Sequence, residues 1–251
     1  EKGCRIWPHP YVKQAYYLEN CDNITRLPGF QEGKFTVQDA SSMLAVAAAD
    51  IRQGDTVLDI CASPGGKTLL AAEYAGADGS VKARDITEGK VAKIAENVER
   101  MKLGNVSTEV WDAAVFDEGA VKSADVVLAD VPCSGLGVMG KKRDIKYRQS
   151  KEAVAELNAL QKAIVRQAAA YVKTGGILLY STCTINPVEN EEMVDFICRE
   201  MDFSPESIEA YLPDMQGKET AKQGYIQLLP QIHDTDGFFF ARLRKKDNVK
   251  R

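Results

Sequence analysis

At 251 residues the chain suits one large domain, or one domain with an accessory segment; 45% hydrophobic and 27% charged residues exclude a disordered or fibrous protein. A formal net charge of −4 argues against nucleic-acid binding by the surface as a whole, so any such binding must come from local basic clusters. No apolar run reaches the roughly 18 residues of a membrane span, no basic-then-apolar leader opens the chain, and Glu1 in place of Met reads as a piece of a longer protein.

Residues 1–35, punctuated by Pro8, Pro10, Pro28 and Gly29, lack regular periodicity and are expected to form an N-terminal accessory segment. A catalytic domain is expected over 36–251, opening with a helix at about 39–50. From Thr56 onward short apolar strands alternate with amphipathic helical patterns, which predicts a parallel sheet with helices on both faces. TVLDI (56–60) reads as a buried strand, followed by a Gly-rich turn and a helix over about 67–74. SVKAR (80–84) is a second strand before a helix over about 88–103; NVSTEV (105–110) and DVVLA (125–129) are the next two. A long helix over about 151–172 aligns Val154, Leu157, Ile164, Ala168, Tyr171 and Val172 on one stripe, and Gly175 and Gly176 are expected to stop it. ILLYST (177–182) is the next strand. Pro187 suits the first turn of a helix running to about Arg199, with Glu189, Glu191 and Glu192 near its positive end. GFFFARLRK (237–245) is expected to be an edge hairpin strand.

The cysteines Cys4, Cys21, Cys61, Cys133, Cys183 and Cys198 show no pair at metal-ligand spacing, and His9 and His233 are far apart in sequence. Neither a zinc site nor a disulfide framework is expected, and a reducing cytoplasm is the natural setting. The stretch KKRDIKYRQSK (141–151) holds six Lys or Arg residues against Asp144 alone, and the terminal RLRKKDNVKR is basic too. By themselves these read equally as a solvated loop and tail.

The segment Asp59-Ile-Cys-Ala-Ser-Pro-Gly-Gly-Lys67-Thr68 lies between a strand and a helix, where glycines admit a ligand to the backbone and the helix offers unpaired N–H groups. In an open parallel sheet, ligands bind beyond the carboxyl ends of the strands. Gly66, Lys67 and Thr68 fit the end of a phosphate-binding loop, and DVVLAD (125–130) imitates a strand ending in a metal-binding Asp, so a nucleotide hydrolase is the rival reading. Against it, Cys61 occupies the place of the loop's first glycine and Pro64 removes an N–H. Asp85, Asp112 and Asp130 follow the second, third and fourth strands. Carboxylates so placed suit a nucleoside cofactor with a positive sulfonium better than a triphosphate, which they would repel.

Cys133, in Asp130-Val-Pro-Cys133-Ser134, and Cys183, in Ser181-Thr182-Cys183-Thr184, follow two strands and open onto the same rim. A lone cysteine at a strand end is usually a small core residue. A thiol beside a methyl donor is what methylation at cytosine carbon 5 requires, because addition of a thiolate to carbon 6 makes carbon 5 nucleophilic. Asp130 is the candidate to hydrogen-bond or protonate the ring nitrogen. The residues alone leave open which thiol attacks.

The stretches LPGF and FTVQDASS within 27–42, DICASPGGKT (59–68), DVPCSGLGVMGKKRDIKY (130–147), LQKAI (160–164), TGGILLYSTCTINPVENE (174–191) and DGFFFARL (236–243) resemble the RsmB/Sun family of RNA cytosine-5 methyltransferases, over nearly the whole chain from Leu27. The resemblance implies a Rossmann-like class I fold, with a mostly parallel seven-stranded sheet and helices on both faces, and S-adenosylmethionine (SAM) as cofactor. It implies a cofactor site of Cys61, Ala62, Ser63, Pro64, Gly65, Gly66 and Lys67, with Asp85, Asp112 and Asp130 around the nucleoside. It further implies that Cys183 attacks the base while Cys133 assists product release, and that Lys141, Lys142, Arg143, Lys146 and Arg148 grip the phosphates of RNA, expected to be small-subunit ribosomal RNA. A cytoplasmic monomer without metal or membrane is expected. Arg84-Asp85 and Trp111-Asp112 depart from the family pattern, and the N-terminal helical domain resembling the antitermination factor NusB, carried by bacterial members, is not in this sequence. A catalytically inactive RNA-binding module is the remaining alternative.

Overall fold

The computed structural model describes residues 3–21, 23–141 and 150–247. Near the N-terminus, Arg5–Pro8 (β1) and Tyr16–Glu19 (β2) form an antiparallel hairpin that pairs Arg5 with Glu19. That register brings the flanking Cys4 and Cys21 together, and they form a disulfide. The expectation of unpaired cysteines is corrected here: no sequence spacing marks the pair, because the hairpin creates it. Val12 and Ala15, between the strands, are buried in the same core as the first helix, Ala40–Ala48 (α1).

The main sheet follows the predicted alternation: Thr56–Asp59 (β3), Gly66–Ala75 (α2), Ser80–Asp85 (β4), Glu88–Met101 (α3), Val106–Val110 (β5), Ala124–Asp130 (β6), Lys151–Tyr171 (α4) and Val172–Thr182 (β7). Glu191–Glu200 (α5), Phe203–Pro205 (β8), Tyr225–Leu228 (β9), the short Pro230–His233 (α6) and Phe238–Lys245 (β10) complete it. The strand order is β5-β4-β3-β6-β7-β10-β8, with β9 pairing the first half of β10. Strands β3 to β7 are parallel, and β10 runs antiparallel against β7, β8 and β9. The strand around 237–245 is therefore interior rather than an edge, starts at Phe238, and is flanked on its outer side by short strands that the sequence pattern did not reveal.

The period-2 alternation of a strand divides the core. Val126 and Leu128 of β6, Ile177 and Leu179 of β7, and Phe238 and Phe240 of β10 pack with α1 and α2. Val127 and Ala129, Leu178 and Tyr180, and Phe239 and Ala241 face the opposite layer, with Ile164, Val165 and Ala168 of α4 and Met193, Val194 and Ile197 of α5. Two further boundaries differ from expectation. Helix α4 ends at Tyr171, and Gly175 and Gly176 lie inside β7, where its register with β6 shifts between Ala124 and Val126. Gly175 has φ +74°, and a Cβ on Gly176 would sit 2.7 Å from the Asp125 carbonyl oxygen, so the glycines permit an irregular strand rather than stop a helix. Helix α5 begins at Glu191, leaving Pro187 in the turn before it and Glu189 fully buried instead of in the first helical turn.

Candidate active site

The registers that pair Asp59 with Leu128 and Asp130 with Ser181 align the carboxyl ends of the three central strands, so the segments that follow them meet at one rim. After β3 the chain turns sharply: the Ala62 N–H donates to the Arg84 carbonyl (2.9 Å), the Ser63–Pro64 peptide is cis, and Gly65 adopts φ +109°, a region open to glycine without strain. No side chain caps α2 at Gly65, so the first-turn N–H groups from Gly66 lack intrahelical partners at the rim, the usual setting for an anionic or polar ligand group. Asp85 braces this turn from β4. Its carboxylate accepts the Ser63 N–H (2.9 Å) and the Ile86 N–H (2.8 Å) and pairs with Lys90 (3.0 Å). Asp112, beyond β5, is exposed and accepts the Ala114 N–H (2.9 Å).

Lys67 does not stand free for phosphate. Its ammonium donates to Asp130 Oδ2 (2.7 Å) and to Ser42 Oγ (3.3 Å) and lies 5.0 Å from the centre of the Phe238 ring. Ser181 Oγ donates to the other Asp130 oxygen (2.9 Å). The lysine is thus spent on orienting a carboxylate, which removes the main support for the phosphate-loop reading. Beneath it Asp59 is buried and accepts the Thr68 hydroxyl (2.7 Å); burial pushes its carboxyl up to about 7. Burial likewise raises the Cys61 thiol, which disfavours it as a nucleophile.

The Cys133 and Cys183 sulfurs are 3.1 Å apart, and the Cys183 N–H reaches Cys133 Sγ at 3.2 Å. Cys133 accepts this N–H, and a hydrogen bond joins the two sulfurs. That bond, with burial, holds the Cys133 thiol well above the ordinary cysteine range. The same bond holds Cys183 below it, assisted by Lys67 against the opposing effects of burial and Asp130. Of the two, Cys183 is the sulfur prepared to be a thiolate.

A polar network fixes the two cysteine loops. Ser134 and Thr184 share a hydroxyl bond of 2.7 Å. Glu189 accepts the Ser134 N–H (2.8 Å), Gln161 Nε2 (2.9 Å) and Asn186 Nδ2 (2.9 Å), while Gln161 also donates to the Pro132 carbonyl (2.9 Å). Asn190 accepts the Thr182 hydroxyl (2.6 Å) and donates to the Thr184 carbonyl (3.1 Å).

The structure thus brings together the Cys61–Lys67 turn, Asp85, Asp130, Cys133 and Cys183, with Asp112 on the outer strand end beside Asp85, whose carbonyl accepts the Trp111 N–H (3.0 Å). Lys141 ion-pairs with Asp236 (2.8 Å) and Asp39 (3.3 Å), so two carboxylates already compensate its charge. Lys142, Arg143, Lys146 and Arg148 lie outside the described residues. Ser42, Ser181, Gln161, Glu189 and Asn190 escaped the sequence reading. All five lie within the family-like stretches, but as ordinary polar residues without a nucleophile, a strand-end carboxylate or a glycine turn to single them out. Among the described residues no group of three or more His, Cys, Asp or Glu could hold a metal ion, and no helix is long and apolar enough to cross a membrane.

A parallel sheet with one antiparallel strand returning beside its last parallel one, a Gly-rich turn after the first parallel strand, and carboxylates at the next strand ends define the class I SAM-dependent methyltransferases. The resemblance is traceable to named proteins. Residues 46–244 match the profile of the family described as 16S rRNA methyltransferase RsmB/F. The probable ribosomal RNA small subunit methyltransferase B of Bacillus subtilis is 41% identical over 220 residues, covering 86% of this chain and 49% of that protein. Its counterpart in Synechocystis sp. is 39% identical over 226 residues, covering 88% of this chain and 50% of that protein. The structure of NSun6 from Pyrococcus horikoshii with SFG, a SAM analogue, superposes with a TM-score of 0.80 at 29% identity, covering 91% of this chain and 57% of that one. The chain belongs to the RsmB/F family of 16S rRNA methyltransferases, and SAM is the cofactor that its fold and family define. It spans about half the length of the curated relatives it matches.

Proposed function

We propose that the chain is the catalytic domain of an RNA methyltransferase that modifies carbon 5 of cytosine, acting in the cytoplasm on small-subunit ribosomal RNA. The observation that carries this reading is the Cys133–Cys183 sulfur pair, 3.1 Å apart at the rim that also holds Asp130 and Lys67. The 61–67 turn, Asp85, Asp112 and Asp130 would hold the cofactor, which supplies an electrophilic methyl group for carbon 5. The uncapped first turn of α2 and the strand-end carboxylates fit a ligand with a polar amino-acid part and a nucleoside part.

In this mechanism the Cys183 thiolate forms a bond to carbon 6 of the flipped-out cytosine and pushes electron density toward carbon 5. Asp130, oriented by Lys67 and Ser181, takes up a proton and donates it to the ring nitrogen, which favours that addition. Once carbon 5 carries the methyl group, its proton passes to solvent water and the carbon–hydrogen electron pair closes the carbon 5–carbon 6 double bond. Cys133, in contact with Cys183, is placed to assist as the carbon–sulfur bond breaks and its electron pair returns to Cys183. Amino-group methylation has no use for such a thiol pair. The basic stretch from Lys141 to Arg148 is proposed to meet RNA phosphates through Lys142, Arg143, Lys146 and Arg148 rather than through the paired Lys141.

The test is a denaturing gel of RNA incubated with SAM and wild type, Cys133→Ala or Cys183→Ala. A stable protein–RNA adduct with Cys133→Ala, and neither adduct nor methylation with Cys183→Ala, is the expected result. An adduct that depends on Cys133 would reverse the roles, and methylation surviving loss of both thiols would sink the cytosine-5 reading. RNA binding without methyl transfer by the wild type would mark an inactive module.

A further inference from the structure

We propose that Glu189 is a positioning residue that holds Cys133 in hydrogen-bonding contact with Cys183, an inference that rests on the covalent reading above. Glu189 is completely buried, and its carboxylate collects donors from three separate elements. The Ser134 N–H comes from the Cys133 loop, Asn186 Nδ2 from the Cys183 loop, and Gln161 Nε2 from α4, all at 2.8–2.9 Å. The Gln161 amide N–H donors are also shared with the Pro132 carbonyl, one residue before Cys133. The Glu189 main chain is fixed as well, its N–H donating to the Asn186 carbonyl (3.0 Å) and its carbonyl accepting the buried Tyr180 hydroxyl (2.6 Å).

The consequence falls on the sulfurs. Cys133 is adjacent to Ser134 and to Pro132, the two points where this network grips its loop. Its contact with Cys183 is the 3.1 Å approach between two sulfurs on different loops, with the Cys183 N–H also reaching Cys133 Sγ at 3.2 Å. Hydrogen bonds fall off steeply with distance and angle, so releasing Ser134 by a few tenths of an ångström would weaken the donation that favours the Cys183 thiolate. An amide at position 189 keeps the shape but has one acceptor oxygen for three N–H donors, and it turns a donor toward at least one of them. Glu189 touches neither sulfur: its bonds to Ser134 and Gln161 act on the Cys133 loop, and its bond to Asn186 steadies its own loop after Cys183, so a double variant with Cys133→Ala separates the route through Cys133.

Alkylation by iodoacetamide, followed by mass spectrometry of the Cys183 peptide across a pH series, reads the thiolate directly. Cys133→Ala is expected to raise the Cys183 midpoint, and Glu189→Gln to raise it by about one pH unit, or about tenfold less thiolate at neutral pH. The double variant should match Cys133→Ala alone. A Glu189→Gln midpoint equal to the wild type, even with a lowered melting temperature, would show a merely structural role and overturn the proposal. A shift in the double variant beyond that of Cys133→Ala would overturn it too. Should Glu189→Gln not fold, Asn186→Ala removes one donor and keeps the carboxylate; it is expected to shift the midpoint the same way by less, and an unchanged midpoint there overturns the proposal. Failure of the underlying covalent reading shows separately, as absence of the RNA adduct from Cys133→Ala whatever the alkylation profile.

Discussion

At the scale of single residues, the site is a set of side chains whose partners set their chemistry. Asp130 is oriented on both oxygens, by Lys67 at 2.7 Å and Ser181 at 2.9 Å. Asp130→Asn keeps the volume and loses the ion pair, so methylation at saturating cofactor should fall by about 10²-fold or more, the range for loss of one acid–base group. Calorimetric cofactor titration then separates a chemical defect from lost binding; an unchanged rate would remove Asp130 from the chemistry. Asp59 gives a pH prediction with a definite sign. Its carboxyl is raised from an ordinary 3.8 to about 7 because burial penalises the charge. Between about pH 4 and pH 7 the folded chain therefore holds a proton that the unfolded chain has released, and stability falls as pH rises through that window. Relative to Asp59→Asn, the wild type should lose stability from pH 4.5 to pH 7.5 in urea titrations, and a constant difference would refute the shift. Cys61, Asp85, Cys133 and Cys183 were legible because motif and strand end coincide. Glu189 was not, because two of its three partners, Ser134 and Gln161, come from distant elements that only the fold brings together.

At the scale of elements, the strands and helices from 56 to 130 are legible almost to the residue, since the central strands β3 and β6 are buried apolar runs and turn signals bound all four strands. The reading failed where tertiary pairing overrides local pattern. The 237–245 strand, last in the chain, reads as an edge hairpin strand, yet it is buried over most of its length and enclosed by β7 on one side and by β8 and β9 on the other. One crossing between elements ties this C-terminal part to the active site. The Gly137 N–H donates to the Cys183 carbonyl (3.0 Å), and the Gly237 N–H donates to the Gly137 carbonyl (3.0 Å). A Cβ on Gly137 would lie 1.8 Å from the Gly237 carbonyl oxygen and 2.9 Å from that of Cys183, both backbone atoms that cannot swing aside. Gly137→Ala should therefore destabilise the fold by about 1–3 kcal/mol and displace the Cys183 loop. Urea midpoints measure the first effect and adduct yield the second. Full activity at wild-type stability would mean that the crossing tolerates a spacing the geometry forbids.

For the whole molecule, the question is what joins the N-terminal helix to the antiparallel end of the sheet. Neither region announces the contact in sequence: Arg242 reads as one more basic residue near the C-terminus, yet it is 2% exposed. It donates to the Ala48 carbonyl at the end of α1 (2.8 Å) and to Glu206 beyond β8 (2.8 Å), and lies 5.1 Å from the centre of the Tyr211 ring. Magnitudes decide which partner matters. The Glu206 side chain is 37% exposed and also pairs with Arg244 (2.8 Å), so water and a second cation remain to it when Arg242 is lost. The Ala48 carbonyl bond is buried, and an orphaned buried acceptor costs about 1–3 kcal/mol. Arg242→Met, which keeps the length and apolar stem, should lower stability by about that amount, and Glu206→Gln by clearly less. The two arginines hold the Glu206 carboxyl below its ordinary range against the effect of burial, so its own contribution is present at neutral pH and fades as pH falls through the acid range. Urea denaturation of both variants at pH 7 and pH 4 tests this: the cost of Glu206→Gln should shrink on acidification, while that of Arg242→Met should largely remain. Equal costs at pH 7 would place the strength of the junction in the ion pair instead of in the carbonyl at the end of α1.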